Sequence, residues 1–194
     1  MSNITQKWLE LLFVYSTDYS AKFSVSELAR KSDIPQQTAS RYLDKLSRMN
    51  LINYVFEGKN KLFYFELTKP TTRIIFNLVE GCKALEFQTK EKITGVINDI
   101  LKHCESLIVF GSYASKKYNK ESDLDIVIFG KKDNQIKKIK QSQIIEINEH
   151  YINYDEFLGL LNEKNPLAIE ILKNHIIFGD VSKIVDIFIK YGQK

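Results

Sequence analysis

The chain has 194 residues, of which 44% are hydrophobic and 27% are charged. These proportions exclude a disordered chain, and the length allows one large or two small hydrophobic cores. The formal net charge of +4 is too small to identify a nucleic-acid-binding protein by itself. The sequence contains no secretory leader and no run of about eighteen apolar residues, so we expect a cytoplasmic protein without a membrane partner.

The N-terminal segment shows helical spacing. Apolar residues at intervals of three and four predict a helix over residues 5–17. We expect Ser26 to cap a short second helix and Pro35 to open a third, because a proline in the first turn loses no hydrogen bond. The third helix would bury one apolar stripe and expose a polar face. That face consists of Gln36, Gln37, Ser40, Arg41 and Lys45.

Two predicted strands follow this helix. Residues 52–56 and 62–67 are rich in aromatic and β-branched side chains, and the segment between them contains Gly58. This pattern predicts a β-hairpin with a glycine turn. The tip of the hairpin carries Lys59 and Lys61 and is therefore basic.

Three helices followed by a hairpin resemble the winged helix-turn-helix of prokaryotic transcriptional regulators, over about residues 5–68. The resemblance implies double-stranded DNA as a partner, with the polar face of the third helix in the major groove and with Lys59 and Lys61 on phosphates. Contact with two half-sites would require a homodimer. A protein-interaction or dimerisation module remains the alternative, because Asp44 interrupts the polar face and the net charge is small.

A breaker separates the hairpin from a helical connection, since residues 68–72 contain Pro70. We place the domain boundary near residue 85, which gives a first domain over residues 1–85 and a second over residues 86–194. In the second domain, residues 131–140 are rich in lysine and carry Ile136 and Ile139 at helical spacing. They predict an amphipathic helix whose charged face is solvated.

The most informative pattern lies in this second domain. Gly111 and Ser112 follow an apolar run at residues 107–110, and a strand that ends in Gly-Ser and opens a helix offers backbone N–H groups and a hydroxyl to a phosphate. Asp123 and Asp125 stand two residues apart on the next predicted strand, at residues 122–129. Strand side chains alternate, so both carboxylates point the same way. Such a pair binds Mg²⁺, which prefers oxygen ligands.

This pattern resembles the signature of the polymerase-beta-like nucleotidyltransferase superfamily, and in particular its small prokaryotic "minimal" members. That signature is Gly-Ser-x-Ala-x-Gly, a short spacer, and Ser-Asp-x-Asp before an apolar strand. The matching residues are Gly111, Ser112, Ala114, Ser122, Asp123 and Asp125. Lys116 or Lys117, depending on the alignment of the spacer, stands where the family carries its second glycine, and it would add positive charge beside a triphosphate. The implied fold is an α/β palm-like mixed sheet flanked by helices.

The resemblance implies a Mg²⁺-dependent transfer of a nucleoside monophosphate from a nucleoside triphosphate, which we expect to be ATP, to an acceptor hydroxyl. Asp123 and Asp125 would hold the metal ion, and Gly111, Ser112 and Lys116 would bind the phosphates. A protein side chain, a tRNA end and an antibiotic hydroxyl are all acceptors that suit this chemistry.

A third carboxylate, either a metal ligand or the general base, is also implied by the resemblance. Glu146 is the candidate. Residues 143–152 predict a strand, and alternation puts Glu146, Asn148 and His150 on one face while Glu149 faces away.

Two other functions remain open. One is a DNA-binding regulator whose second domain senses nucleotide without catalysis, because a fold does not determine function. The other is an antitoxin-like interaction protein that neutralises a toxin partner, a role in which minimal nucleotidyltransferases are known. Nucleotide-dependent operator binding would favour the first, and a small helical protein that copurifies would favour the second.

Overall fold

The computed structural model describes residues 3–91 and 93–194, with side chains from Trp8 onward. The chain is a mixed α/β protein, as predicted, and divides into two compact units, Met1–Val79 with Gly192–Lys194, and Glu80–Tyr191. This division falls a few residues before the boundary we placed near residue 85. In the described part of the chain, no helix is both long and apolar enough to cross a bilayer. Met1 and Ser2, the first residues of the segment without leader features, lie outside the described residues.

The first unit is built from three helices, a short three-stranded sheet and the start of a long helix. Its elements are α1 (Asn3–Phe13), a 3-10 turn (Val14–Thr17), β1 (Phe23–Ser24), α2 (Val25–Lys31), α3 (Gln36–Arg48), β2 (Asn53–Glu57), β3 (Asn60–Tyr64) and the first part of α4 (Pro70–Lys90). Strands β2 and β3 pair antiparallel and confirm the hairpin, and β1 adds to the other edge of β3. The sequence analysis did not predict β1.

Two local details of this unit differ from the prediction. Helix α2 is capped by Ser24 and not by Ser26: the Ser24 hydroxyl accepts from the backbone N–H of Glu27, whose carboxylate accepts in return from the Ser24 N–H. This reciprocal capping box satisfies two N–H groups that the helix leaves open. The hairpin loop is shorter than predicted and consists of Gly58 and Lys59, with Gly58 at φ +61°.

Aromatic side chains form the core of the first unit. Tyr15 is fully buried, and its hydroxyl donates to the carbonyl of Phe63 at 2.9 Å. Its ring meets Phe65 edge to face at 5.0 Å between centroids. Burial of the hydroxyl raises the pKa of Tyr15 far above its ordinary value, so this residue stays a neutral donor.

The second unit contains a four-stranded sheet covered by helices. Its elements are the rest of α4, then α5 (Thr94–Leu101), β4 (Ser106–Phe110), α6 (Gly111–Ala114), β5 (Leu124–Phe129), α7 (Asn134–Gln141), β6 (Ile147–Ile152), α8 (Tyr154–Asn162), α9 (Pro166–Lys173), β7 (His175–Gly179) and α10 (Val181–Gly192). The sheet order is β6-β5-β4-β7. Strand β4 is antiparallel to both β5 and β7, whereas β6 runs parallel to β5. Helix α7 confirms the predicted amphipathic helix.

Strand β5 determines which face of the sheet carries the polar site. Leu124, Ile126 and Ile128 belong to the apolar cluster that includes residues of α5 and α7. Alternation turns Asp125 and Phe129 to the opposite face, where Phe129 meets Phe157 of α8. The carboxylate of Asp125 therefore opens on the α8 face, at the start of β5.

Both strands that were predicted to carry carboxylates begin later than expected. Strand β5 starts at Leu124, so Asp123 precedes it, and β6 starts at Ile147, so residues 143–146 lie outside it. The pairing of β6 with β5 reaches back only one further step, through the N–H of Leu124 and the carbonyl of Glu146 at 2.8 Å. The register of the two strands thus limits where β6 can begin.

A buried charged cluster joins α4 to β7 in the same unit. The Glu80 carboxylate lies 2.7 Å from Nζ of Lys83 and 3.2 Å from Nε2 of His175. Burial alone raises the pKa of Glu80, but the charges of Lys83 and His175 outweigh it and lower the pKa to about 2. His175 also places Nδ1 at 3.0 Å from the carbonyl of Ile171, so that nitrogen carries a proton and donates.

Candidate active site

Asp123 and Asp125 lie on either side of one amide group. Nδ2 of Asn148 is 3.4 Å from Oδ2 of Asp123 and 3.2 Å from Oδ1 of Asp125, and it donates to both. Asn148 sits opposite Asp125 in the parallel pairing of β5 and β6. Since one nitrogen reaches both carboxylates, the two acids converge on the same small volume.

Gly111 lies beside this volume, next to the carboxylate of Asp125. It follows β4 directly and adopts φ +66°, a left-handed conformation that costs other residues about 1–2 kcal/mol. A Cβ atom at this position would lie 2.5 Å from Oδ2 of Asp125, so the carboxylate of Asp125 would have to move. The turn after β4 therefore needs glycine twice over, for its backbone angle and for the approach of Asp125.

The helix that begins at Gly111 is a single turn, Gly111–Ala114, with Ser112 half-buried as its second residue. A helix of one turn aligns few peptide dipoles, so any attraction for phosphate rests on its free N–H groups and the Ser112 hydroxyl.

Lys116 occupies the position of the second motif glycine. Its N–H donates to the carbonyl of Tyr113 at 3.3 Å, and the N–H of Lys117 donates to the carbonyl of Ser112 at 2.9 Å. These two bonds form a Schellman motif that ends α6, and Lys116 takes its left-handed position at φ +57°. The backbone thus favours Lys116 over Lys117 as the aligned residue. Its ammonium group lies 3.0 Å from a carboxylate oxygen of Glu86 on α4.

The structure does not bring Glu146 together with the two aspartates. Glu146 is exposed and precedes β6, and within residues 3–91 and 93–194 no three His, Cys, Asp or Glu side chains form a group that could hold a metal ion. The residue of this segment that contacts both aspartates is Asn148, where a third carboxylate was expected. Glu149 contacts Lys140 of α7, so it faces away from the site as predicted. His150 is exposed, with its ring 6.1 Å from that of Phe110 between centroids.

The chemistry of the donor set fits a small divalent cation. The two carboxylates provide hard oxygen donors, and Mg²⁺ is held in proteins by one or two carboxylates together with substrate phosphates. Gly111 has no side chain, and this lets its backbone lie directly beside the carboxylate of Asp125.

The polar residues that we predicted to contact DNA are found on α3 and the hairpin of the first unit. Gln36, Gln37, Arg41, Lys45 and Lys59 are exposed, and Ser40 is half-buried. Lys61 is not a free cation: its Nζ lies 3.0 Å from Oδ1 of Asp44 and 4.2 Å from the centre of the Tyr54 ring. One of the two lysines expected to bind phosphates is therefore already paired.

Residues 87–193 match the nucleotidyltransferase domain family. A protein of Methanocaldococcus jannaschii, named "Putative protein adenylyltransferase", is 32% identical over 91 residues, which are 44% of this chain and 64% of that protein. The chain thus spans less than two thirds of that relative. No solved structure gives a significant match. The family match covers more than half of the chain and contains Gly111, Asp123 and Asp125 at the spacing of the signature, so the chain belongs to the nucleotidyltransferase domain family.

Proposed function

We propose that the chain transfers the nucleoside monophosphate of ATP to a hydroxyl group of a protein, with Mg²⁺ as cofactor. The observation that carries this proposal is the close approach of the Gly111 turn to Asp125, because a phosphate bound to the backbone of that turn would lie next to a pair of carboxylates. Family membership supports the reaction class. The name of the Methanocaldococcus relative supports ATP as the donor and a protein as the acceptor.

Each residue would have a separate task. The N–H groups at Gly111 and the Ser112 hydroxyl would bind the outer phosphates, and Asp123 and Asp125 would hold the metal ion. Bound there, Mg²⁺ would neutralise phosphate charge and polarise the α-phosphoryl group. The acceptor oxygen forms a bond to the α-phosphorus, the bond from that phosphorus to the bridging oxygen breaks, pyrophosphate leaves, and the hydroxyl proton passes to solvent.

The position of the radioactive phosphate distinguishes this reaction from related ones. Protein incubated with Mg²⁺, a cell lysate and ATP labelled in the α-phosphate should transfer label to a protein band that the lysate alone does not label, whereas ATP labelled in the γ-phosphate should add no label beyond that of the lysate alone. A variant with Asp123→Asn and Asp125→Asn should lose the labelling and keep its thermal melt. Transfer of γ-label above that of the lysate alone, or undiminished labelling by the double variant, would rule out the proposed reaction.

For the first unit we propose a winged helix that binds a protein in preference to DNA. Two of its lysines are neutralised, Lys61 by Asp44 at 3.0 Å and Lys22 by Glu57 at 3.3 Å. The hairpin instead exposes aromatic surface, since Tyr54 is 46% and Phe56 64% accessible. Aromatic side chains are enriched in protein interfaces, and unpaired cations dominate DNA affinity, so both observations favour a protein partner.

A further inference from the structure

The third position of the carboxylate site is occupied by a neutral residue. Asn148 pairs in register with Asp125 and bonds to both aspartates through the same nitrogen. Its side chain has the size of aspartate but carries no charge. The described residues provide no replacement, because they contain no third acidic, histidine or cysteine side chain within a common metal-binding group.

The charge of the site determines how many divalent ions it can hold. Asp123 and Asp125 together carry two negative charges, which balance one divalent ion. A second ion about 4 Å away, the spacing of two-metal sites, would find no further carboxylate as a ligand, and only the phosphates of the bound nucleotide would offset its repulsion by the first ion. An amide oxygen is a weaker ligand for such an ion than a carboxylate, because it carries only a partial charge.

We propose that this site binds a single divalent cation, between Asp123 and Asp125, and that Asn148 excludes a second one. Asn148 also acts as a positioning residue, because its amide holds the two carboxylates toward each other before the ion arrives. The inference rests on the proposed function in one respect only, namely that the site binds a metal ion together with a nucleotide. It goes beyond that function by fixing the number of ions at one. That ion polarises the phosphate, and no metal ion activates the acceptor hydroxyl.

Counting bound Mn²⁺ tests the proposal without reference to activity. Free Mn²⁺ can be titrated against the full chain by electron paramagnetic resonance, with and without a non-hydrolysable ATP analogue. The wild type should saturate at one ion per chain and give no signal from two exchange-coupled ions. Asn148→Asp should raise the count to two and produce the coupled signal. Glu146→Gln, the matched control two residues earlier in the chain and outside β6, should remain at one.

The possible outcomes separate this inference from the proposed function. Two ions in the wild type, a folded Asn148→Asp variant that still binds one ion, or a loss of the ion in Glu146→Gln would overturn the inference. If Asn148→Asp does not fold, Asn148→Ser replaces it: this neutral variant should still bind one ion, with weaker affinity because the carboxylates are no longer held, and unchanged affinity would contradict the positioning role. No bound ion in the wild type, with or without the analogue, would instead contradict the proposed function.

Discussion

The backbone of Gly111 approaches the carboxylate of Asp125 so closely that a Cβ atom would lie 2.5 Å from Oδ2. This relationship joins the ends of two antiparallel strands, β4 and β5, and determines the width of the site. Because Gly111 also has a left-handed φ of +66°, two independent constraints act on one residue.

Gly111→Ala should therefore impair both function and stability. We expect nucleotide affinity to fall at least about tenfold, because Asp125 must move, and the free energy of unfolding to fall by about 1–3 kcal/mol from the backbone conformation and the displaced side chain. Isothermal titration and denaturant melts measure the two effects. Gly159→Ala is the control: Gly159 lies inside α8 with open space around it, so alanine there should stabilise by about 0.5–1 kcal/mol. Equal effects of the two substitutions would contradict the constraint at Gly111.

Lys116→Gly should stabilise the second unit. Lys116 takes the left-handed position of a Schellman motif, where glycine avoids a penalty of about 1–2 kcal/mol, and the exposed pair with Glu86 that is lost is worth under about 1 kcal/mol. A gain of about 1 kcal/mol should raise the melting temperature by a few degrees. Lys117→Gly, one residue later and without a positive φ, should give no gain.

The same variant tests the predicted phosphate contact of Lys116. If its ammonium leaves Glu86 to bind a triphosphate, Lys116→Gly should weaken ATP binding even though it stabilises the fold. Unchanged ATP affinity would remove Lys116 from the nucleotide site and leave it a purely structural residue.

Glu80→Gln should destabilise the protein by about 3 kcal/mol at neutral pH, because the charge of Lys83 would remain in the buried cluster without its carboxylate partner. Because the pKa of Glu80 is lowered in the folded protein, the loss of stability in the variant depends on pH. Its carboxylate contributes stability above the ordinary value of 4.5, and that contribution is lost as the pH falls toward about 2. Urea melts of both proteins from pH 7 to pH 2 should therefore converge at the acid end.

Glu86→Gln is the matched control on the same helix. The pKa of Glu86 is also lowered, chiefly by its hydrogen bond with Lys90, but the pair is partly exposed, so the substitution should cost well under about 1 kcal/mol. A Glu80→Gln variant as stable as this control, or a difference that persists at pH 2, would show that the buried cluster does not depend on the charge of Glu80.

Substitutions in the hairpin of the first unit distinguish a protein partner from DNA. Phe56→Ser should abolish the capture of a protein partner if the exposed aromatic surface is the contact, while Lys59→Ala should leave it unchanged. Surface plasmon resonance on a partner isolated by cross-linking gives both affinities. If Lys59→Ala instead weakens binding to selected DNA fragments and flattens its salt dependence, the first unit binds DNA, with Gln36 and Arg41 in the major groove. That result would contradict our proposal of a protein partner.

Local patterns in the sequence were sufficient for the part of the site that depends on neighbouring residues. Gly111 and Asp125 were predictable because a strand end, a glycine and a two-residue alternation are all readable over short stretches. The third position was not. Alternation placed Glu146 and Asn148 on the same face, and only the register between β5 and β6 decides which one meets Asp125.

Contacts over long sequence separations explain the other differences. The cluster of Glu80 and His175 joins α4 to β7, and no periodicity connects residues so far apart in the chain. The strained angle of Lys116 was also invisible, because lysine carries no sequence signal for a left-handed backbone. By contrast, the hairpin around Gly58 was predicted correctly, since its two strands and its turn are adjacent in sequence.

Gly111 and Asn148 are positioned by strands that differ in their protection from local unfolding. Strand β4, which delivers Gly111, is hydrogen-bonded along both edges and buried at all of its residues, whereas β6, which delivers Asn148, pairs with β5 alone in the described sheet. Amide hydrogen exchange in β4 should then require opening of the whole unit, while β6 can fray from the edge of the sheet at a lower free energy. A brief departure of β6 would withdraw Asn148 and leave the Gly111 turn in place. The site would thus open from its Asn148 side, on the timescale of local unfolding.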